Sequence, residues 1–178
     1  LPIWLLIAVA IYIEDPGTVF YRQQRVGKNG RNFFMWKFRT MIKGADQMQH
    51  QLTSQTKDNP FIFKIHNDPC VTVIGKILRR FSLDEVPQVL NVLKGEMSMV
   101  GPRPAMLKEV SSYSESQMRR LSVKPGITGL WQVSGRADLS DKKWLELDLH
   151  YIDEWSLILD IKIVLRTFYA VLSGKGAY

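Results

Sequence analysis

Cysteine is nearly absent from this chain, since Cys70 is the only one among 178 residues. A single cysteine excludes an internal disulfide and a cysteine-based zinc site, and it suits a reducing compartment. Histidine is also scarce, and His50, His66 and His150 are too scattered to form a set of metal ligands. Acidic residues number 17 against 24 basic ones, which leaves a net charge of +7. This balance favours an anionic partner such as nucleic acid, an anionic membrane surface or a phosphorylated substrate.

The apolar run from Leu1 to Ile13 is too short to cross a bilayer of roughly 30 Å, which needs about 20 residues. It has no basic segment and no small-residue cleavage site, so it is not a signal peptide. From the run alone, a buried helix is the favoured interpretation. The other is part of a membrane-embedded helix, which Trp4 and Tyr12 favour because aromatic rings prefer membrane interfaces.

The rest of the pattern predicts a single α+β domain that is mostly helical. Mixed apolar and polar residues predict strands at Thr18 to Arg25 and Asn32 to Phe38, joined by a Gly27-Lys28-Asn29-Gly30 turn. Amphipathic surface helices are predicted, with apolar residues at helical spacing in Val73 to Phe81 and a second apolar helix at Val86 to Leu93. Polar helices are predicted at Lys43 to Lys57 and Ser111 to Leu121. Two further helices are predicted at Trp144 to Tyr151 and Trp155 to Leu172, and the last, nearly all apolar, is either core or laid on a membrane. Gln47 to Phe61 is predicted to be a solvated excursion, and Lys124 to Gly129 a turn-rich loop.

One charged segment has both a structural and a chemical interpretation. Ser82-Leu83-Asp84-Glu85 matches a capping box, with Ser82 capping the following helix and Glu85 folding back onto its start. Pro87 bends that helix start, and Arg79 lies one turn upstream.

The chemical interpretation assigns different tasks to the two acidic residues. Neighbouring helix residues point about 100° apart, so Asp84 and Glu85 are predicted to face different atoms. One carboxylate can attack phosphorus while the other holds a cation. An aspartate with a pKa of about 3.9 is ionised at neutral pH and needs no base to act as a nucleophile. Mg²⁺ binds one or two carboxylates together with phosphate oxygens.

Several cations are candidates for phosphate binding. The two prolines of Gly101-Pro102-Arg103-Pro104 hold Arg103 on a stiff, extended backbone, which suits bidentate phosphate binding. The alternative is a surface turn with a solvated arginine. Lys37 and Arg39 share one face of the predicted second strand, with Phe38 on the other, which also fits an ordinary amphipathic strand.

A third candidate segment follows the Lys124 to Gly129 loop. Its glycines would let a ligand approach the backbone closely. Trp131, Gln132 and Arg136 then offer stacking and polar contacts to a nucleotide.

Taken in order, these motifs resemble the bacterial sugar transferase family, the monotopic polyprenyl-phosphate hexose-1-phosphate transferases or phosphoglycosyl transferases. The resemblance covers nearly the whole chain. The matching segments are Asp15 to Gly17, Gln24 to Gly27, Lys37 to Met41, Leu78 to Pro87, Asn91 to Ser98, Val100 to Pro104, Lys124 to Gly129, and Gln132 to Arg136.

The resemblance implies transfer of a sugar 1-phosphate from a UDP-sugar to polyprenyl (undecaprenyl) phosphate, with release of UMP. This would be the first membrane step of exopolysaccharide, capsule or O-antigen synthesis. It implies that Asp84 is the nucleophile of a covalent phosphosugar intermediate and that Glu85 binds Mg²⁺. The residues it places at the substrate are Arg79, Arg103, Lys37, Arg39, Gln132 and Arg136.

The family carries a re-entrant membrane helix broken at a proline, and Pro2 stands at the matching position. Residues 1–14 are therefore expected to be the exit half of that helix, and residues 15–178 a single catalytic domain of one of the larger members. The expected location is the cytoplasmic face of the bacterial inner membrane, with homo-oligomerisation left open and no nucleic-acid partner. The rival hypothesis is a basic membrane-surface or nucleic-acid-binding module without catalysis, which gives no reason for the Asp84-Glu85 pair.

Overall fold

The structure is a computed structural model that describes residues 2–45, 48, 68–135 and 139–173. Most of the described elements are helices, and there are two small two-stranded sheets beside them. This confirms the predicted fold class, which was mixed and mostly helical. The elements are α1 (Pro2–Glu14), β1 (Phe20–Val26), β2 (Asn32–Phe38), α2 (Val73–Arg80), α3 (Val89–Leu93), β3 (Ser98–Val100), α4 (Leu107–Val110), α5 (Glu115–Met118), β4 (Gly126–Thr128), α6 (Leu130–Ser134), α7 (Asp141–Asp153) and α8 (Leu157–Ser173). Short 3₁₀ segments cover Lys28–Gly30, Leu83–Gln88 and Arg119–Ser122.

The predicted hairpin is confirmed, with β1 and β2 antiparallel and Phe20 opposite Phe38. The buried side-chain amide of Asn91 connects the hairpin to helix α3. The Asn91 side chain accepts from the Trp36 backbone N–H at 3.1 Å and donates to the Phe34 carbonyl at 2.8 Å. Side chains alternate across the hairpin, so Lys37 and Phe38 face opposite sides, with Phe38 fully buried.

The second sheet was not predicted. Strands β3 and β4 pair in parallel, with Ser98 opposite Gly126 and Val100 opposite Thr128. The predicted turn-rich loop at 124–129 is therefore partly a strand. A side chain at Gly126 or Gly129 would collide with the backbone of Gly101, so these glycines serve the close approach of two chain segments. Gly126 also lines the cavity described below, so close approach of a ligand to this loop stays a prediction.

Helix α1 is buried on one side only, so the interpretation as a buried helix is confirmed for that side and not for the other. Ile11 packs in a cluster with Phe38 and Leu78, and Trp4 meets the Phe38 ring edge-on at 5.8 Å. At its C-terminal end, the Glu14 carboxylate accepts the backbone N–H groups of Val73 and Ile74 at 2.6 and 2.8 Å. Six other apolar side chains of the helix are exposed, namely Ile3, Leu5, Leu6, Val9, Tyr12 and Ile13.

Helix α8 divides in the same way. Ile163 is buried in a cluster with Val100, Leu130 and Tyr151. The opposite side of the helix is exposed and apolar, at Leu157, Ile158, Ile161, Leu165, Phe168, Tyr169 and Leu172. The side of α8 that carries Ile163 therefore belongs to the core, and no described residue covers the opposite apolar side.

Some predicted elements differ from the structure or lie outside what it describes. The helix expected at Ser111 to Leu121 is broken into α5 and the 3₁₀ segment that follows. Most of the helix predicted at Lys43 to Lys57, and all of the excursion at Gln47 to Phe61 except Met48, lie outside the described residues. Over residues 2–45, 48, 68–135 and 139–173, no helix is both long and apolar enough to cross a membrane.

Candidate active site

A cavity of about 820 Å³ opens between the β1–β2 hairpin, the Leu83–Gln88 segment and α6. Seven of the predicted site residues line it: Lys37, Arg39, Arg79, Asp84, Glu85, Arg103 and Gln132. Arg136 lies outside the described residues. Pro2, the predicted membrane residue, begins α1.

The two carboxylates share one lysine at the cavity wall. The Lys37 ammonium lies 2.6 Å from Glu85 Oε1 and 3.8 Å from Asp84 Oδ2. Lys37 reaches from β2 toward both neighbours, but its ammonium is within hydrogen-bonding distance of Glu85 and only within ion-pair range of Asp84. The expectation that the two carboxylates serve different atoms stays a prediction.

The backbone before this pair explains its geometry. Ser82 adopts a left-handed conformation with φ of 54° and ψ of 23°, and the chain continues as a 3₁₀ turn that contains Pro87. In the described structure the Ser82 side chain makes no capping hydrogen bond, and the Glu85 carboxylate turns to Lys37 instead. The capping-box interpretation was wrong. Left-handed non-glycine residues are strained and concentrate at functional sites.

The two carboxyl groups differ in pKa. Burial, as the dominant cause, raises the pKa of Asp84 to about 6, with the adjacent Glu85 charge adding to the rise and Lys37 opposing it. Burial, the largest single cause, acts to raise the pKa of Glu85, but the charge and hydrogen bond of Lys37 together with the charges of Arg103 and Arg25 leave that pKa below its usual value. The expectation of an ordinary aspartate pKa was wrong, although Asp84 still ionises at neutral pH.

Arg79 projects from the last turn of α2 toward the same cavity. Its Nε donates to the Thr40 hydroxyl at 3.0 Å, which fixes the guanidinium beside the strand end. Burial lowers the pKa of Arg79, with the nearby Asp84 charge opposing the change. The side chain therefore brings a constrained positive charge close to the carboxylate pair.

Arg103 follows β3 and is held by a buried carboxylate. Its Nη1 lies 3.1 Å from Glu109 Oε1, and its guanidinium carbon is 5.5 Å from the centre of the Trp144 ring. The guanidinium is half-buried and lines the cavity, whereas Glu109 is almost fully buried. The alternative of a freely solvated surface arginine was wrong.

Arg39 and Gln132 already have structural partners. Arg39 lies 3.4 Å from Asp15 Oδ2 and donates to the Asp15 carbonyl, which anchors the turn after α1. Gln132 Nε2 donates to the Ile127 carbonyl at 2.9 Å. Its buried Oε1 has no hydrogen-bond partner among the described atoms.

Arg25 is a cavity residue that the sequence interpretation missed. Its Nη1 donates to the Pro104 carbonyl at 3.1 Å and its Nη2 to Gln23 Oε1 at 2.5 Å. Burial first, and then the Arg103 charge, lower its pKa to about 10. Strand alternation was the available signal, because Arg25 shares a hairpin face with Tyr21, Gln23 and Lys37.

The residues present fit a magnesium ion. The Asp84 and Glu85 carboxylates lie 3.8 Å and 2.6 Å from the Lys37 ammonium, so both border one position for a cation. Mg²⁺ requires only one or two protein carboxylates when phosphate oxygens complete its ligand shell. Within the described residues, no group of three or more acidic, histidine or cysteine side chains forms a metal site without such help.

Comparison with known proteins identifies the family. Residues 1–174 match the sequence model described as bacterial sugar transferase. The chain belongs to the bacterial sugar transferase family. This result confirms the resemblance inferred from the motifs.

Relatives within the family are close in sequence. The chain is 48% identical over 175 residues to the galactosyl transferase CpsE of Streptococcus agalactiae, covering 95% of this chain and 39% of the relative. It is 41% identical over 184 residues to the exopolysaccharide production protein ExoY of Sinorhizobium fredii, covering 99% of this chain and 80% of the relative. It is 44% identical over 185 residues to the UDP-glucose:undecaprenyl-phosphate glucose-1-phosphate transferase of Xanthomonas campestris pv. campestris, covering 99% of this chain and 36% of the relative. The chain thus spans well under half of the streptococcal and Xanthomonas relatives but most of ExoY.

Proposed function

We propose that this chain is a phosphoglycosyl transferase that moves a sugar 1-phosphate from a UDP-sugar to polyprenyl (undecaprenyl) phosphate and releases UMP. The observation that carries the proposal is the Asp84-Glu85 pair, which shares one cation in a cavity lined by further arginines. The name of the Xanthomonas relative specifies the same donor and acceptor classes for that protein.

The charges and size of the cavity support a diphosphate ligand. Its cationic side chains are Arg25, Lys37, Arg39, Lys43, Arg79 and Arg103, against the carboxylates of Asp68, Asp84 and Glu85. A volume of about 820 Å³ falls within the range of small-molecule sites. A concave, enclosed set of charges suits a nucleotide sugar better than an extended nucleic acid.

Asp84 is proposed to attack the β-phosphorus of the UDP-sugar. A carboxylate oxygen forms a bond to phosphorus while the bond from phosphorus to the bridging oxygen breaks, and UMP leaves with that oxygen. The sugar phosphate then remains on Asp84 as an acyl phosphate. In the second half, an oxygen of the polyprenyl phosphate attacks the same phosphorus, and the Asp84 carboxylate is released unchanged.

The surrounding residues are proposed to stabilise charge on the phosphates. Arg79 and Arg103 would bind the phosphate oxygens. The Lys37 ammonium would leave its contacts with the carboxylates and bind the donor instead. Glu85, with Asp84 beside it, would hold a magnesium ion that offsets negative charge on the diphosphate.

The exposed apolar faces support work at a membrane. Several apolar side chains of α1 project outward, and the basic residues Lys76 and Arg80 of neighbouring α2 are also exposed. With a net charge of +7, such a surface suits anionic lipid. We propose the inner bacterial membrane as the location, with the cavity on the cytoplasmic face.

The decisive variant is Asp84→Asn, because an amide cannot form the acyl phosphate. With Mg²⁺ and a panel of UDP-sugars, we expect the unmodified chain to release UMP and to gain the mass of one sugar phosphate when the acceptor is omitted. Asp84→Asn should lose both signals, at least about a thousandfold in rate, as expected for removal of a nucleophile. The measurements are UMP release and intact-protein mass spectrometry.

Asp153→Asn is the matched control, because it removes an exposed carboxylate that pairs with Arg119 on the surface. It should retain both signals. Turnover without an adduct, or an adduct that survives in Asp84→Asn, would contradict the proposed nucleophile. Failure of every donor with the unmodified chain would favour the non-catalytic basic module.

A further inference from the structure

A buried network holds Arg103, and its members Glu109, Arg120 and Asp148 were not singled out by the sequence motifs. Glu109 lies at the third position of α4 and is 1% exposed. Its Oε1 contacts Arg103 Nη1 at 3.1 Å, and its Oε2 accepts the Met106 backbone N–H at 2.9 Å. Both carboxylate oxygens therefore have defined donors.

A second arm fixes the backbone of Arg103. Arg120 Nη2 donates to the Arg103 carbonyl at 3.2 Å. The Arg120 guanidinium is itself held by Asp148 Oδ2, at 3.0 Å from Nε and 2.7 Å from Nη2, and it lies 4.5 Å from the centre of the Trp144 ring. On the other side, Arg25 binds the carbonyl of Pro104. The segment is thus restrained at consecutive peptide units.

The geometry of the guanidinium shows what this restraint accomplishes. A guanidinium has five N–H donors, and in the described structure Glu109 takes one of them from the buried side. The Arg103 side chain also lines the cavity, so its other edge is available to a ligand there. A freely rotating arginine would have to give up rotamer freedom on binding, whereas a fixed one would not.

We propose that Glu109 is a positioning residue that aims Arg103 at the diphosphate of the donor, with Arg120 and Asp148 holding the backbone beneath it. The inference rests on the proposed function only in taking the ligand to be a nucleoside diphosphate. A purely structural role for Glu109 is the competing explanation, because the same carboxylate caps α4.

The test compares Glu109→Gln, Arg103→Ala and the double variant. A glutamine has only one acceptor oxygen, so Glu109→Gln cannot accept from both Arg103 and the Met106 N–H, and it removes the negative charge that holds Arg103, with little change in volume. We expect UDP to bind about tenfold more weakly, as loss of one hydrogen bond to a charged group gives, measured by calorimetric titration with Mg²⁺ present. The double variant should bind UDP no more weakly than Arg103→Ala alone.

The matched control is Glu146→Gln, an exposed carboxylate of α7 that pairs with Lys143, and its UDP affinity should be unchanged. Additive losses in the double variant, or UDP affinity unchanged in a folded Glu109→Gln, would overturn the positioning role. If Glu109→Gln does not fold, Glu109→Asp keeps the charge but shortens the reach to Arg103. The same weakening and non-additivity are then expected, and their absence would overturn the proposal.

The experiment separates this inference from the proposed function. UDP binding reports on Arg103 whether or not a sugar phosphate is transferred. A wild-type chain that binds UDP, loses that affinity in Glu109→Gln and never releases UMP would contradict the transferase while retaining the positioning role.

Discussion

At the scale of single residues, burial and backbone conformation altered the chemistry that residue types suggested. Ser82 to Glu85 reads as a helix cap, yet the left-handed conformation of Ser82 redirects the turn. Such a conformation costs about 1 kcal/mol or more outside glycine, so the surrounding packing must maintain it. The result is that Asp84 and Glu85 both reach Lys37.

Asp148 provides a residue-scale test of burial against ion pairing. Burial, as the larger effect, raises its pKa from 3.8 to about 6 despite Arg120 and the Arg103 backbone, which favour the charged form. The folded protein then holds a proton that the unfolded chain releases. This stabilising contribution is complete below about pH 4 and is lost as the pH rises through about 6.

We therefore expect wild type to lose stability relative to Asp148→Asn between about pH 4 and pH 7, by roughly 1 to 3 kcal/mol. Unfolding in urea at several pH values measures the difference. Asp153→Asn serves as the control for loss of a surface carboxylate. A relative gain of wild-type stability with rising pH would mean that the ion pair with Arg120 outweighs burial.

At the scale of elements, the link between α1 and α2 depends on one side chain. Both oxygens of Glu14 accept N–H groups at the start of α2, where the helix leaves such donors unpaired. Arg79, near the end of α2, contributes to the cavity wall. Helix α2 therefore carries the contact with α1 at one end and a site residue at the other.

Glu14→Ala should lower the free energy of unfolding by about 1 to 2 kcal/mol, the usual effect of losing a helix cap. Chemical denaturation is the measurement. Glu154→Ala, just past the end of α7, is the control and should change stability by less than about 0.5 kcal/mol, as surface substitutions do. Equal effects of the two substitutions would contradict the capping role.

At the scale of the whole molecule, exposed apolar side chains and excess positive charge both favour binding to a membrane surface. Leu6 and Ile13 are 70% and 74% exposed on α1, and the net charge is +7. An anionic bilayer would cover the apolar atoms and attract the charge. Contiguous exposed apolar side chains of this kind are typical of protein or membrane interaction surfaces.

We expect Leu6→Ser combined with Ile13→Ser to weaken binding to phosphatidylglycerol vesicles at least about tenfold, since each buried leucine or isoleucine contributes about 1.5 kcal/mol or more. Co-sedimentation measures the partitioning, and high salt should weaken it further. Met118→Ser, an exposed apolar substitution on α5, is the control. Unchanged partitioning of the double variant would exclude α1 from the lipid contact.

Much of the local structure and the site inventory followed from the sequence. Alternation and a glycine-bearing turn identified the hairpin, and apolar spacing identified α2, α7 and α8, because these signals lie within a few neighbouring residues. The motifs identified seven residues that line one cavity, six of them charged. Their chemical roles are still predictions.

The remaining features depend on contacts between distant parts of the chain. The parallel pairing of β3 with β4 joins segments more than 25 residues apart. Glycine is needed there because the backbones of Gly101 and Gly126 lie too close together to leave room for a side chain. Likewise, Lys37 meets Glu85 across 48 residues, and Arg25 meets Pro104 across 79. Residue types alone established which charges the protein has. Only tertiary packing decided which charges are buried together, and burial is what sets their partners and the pKa of Asp84.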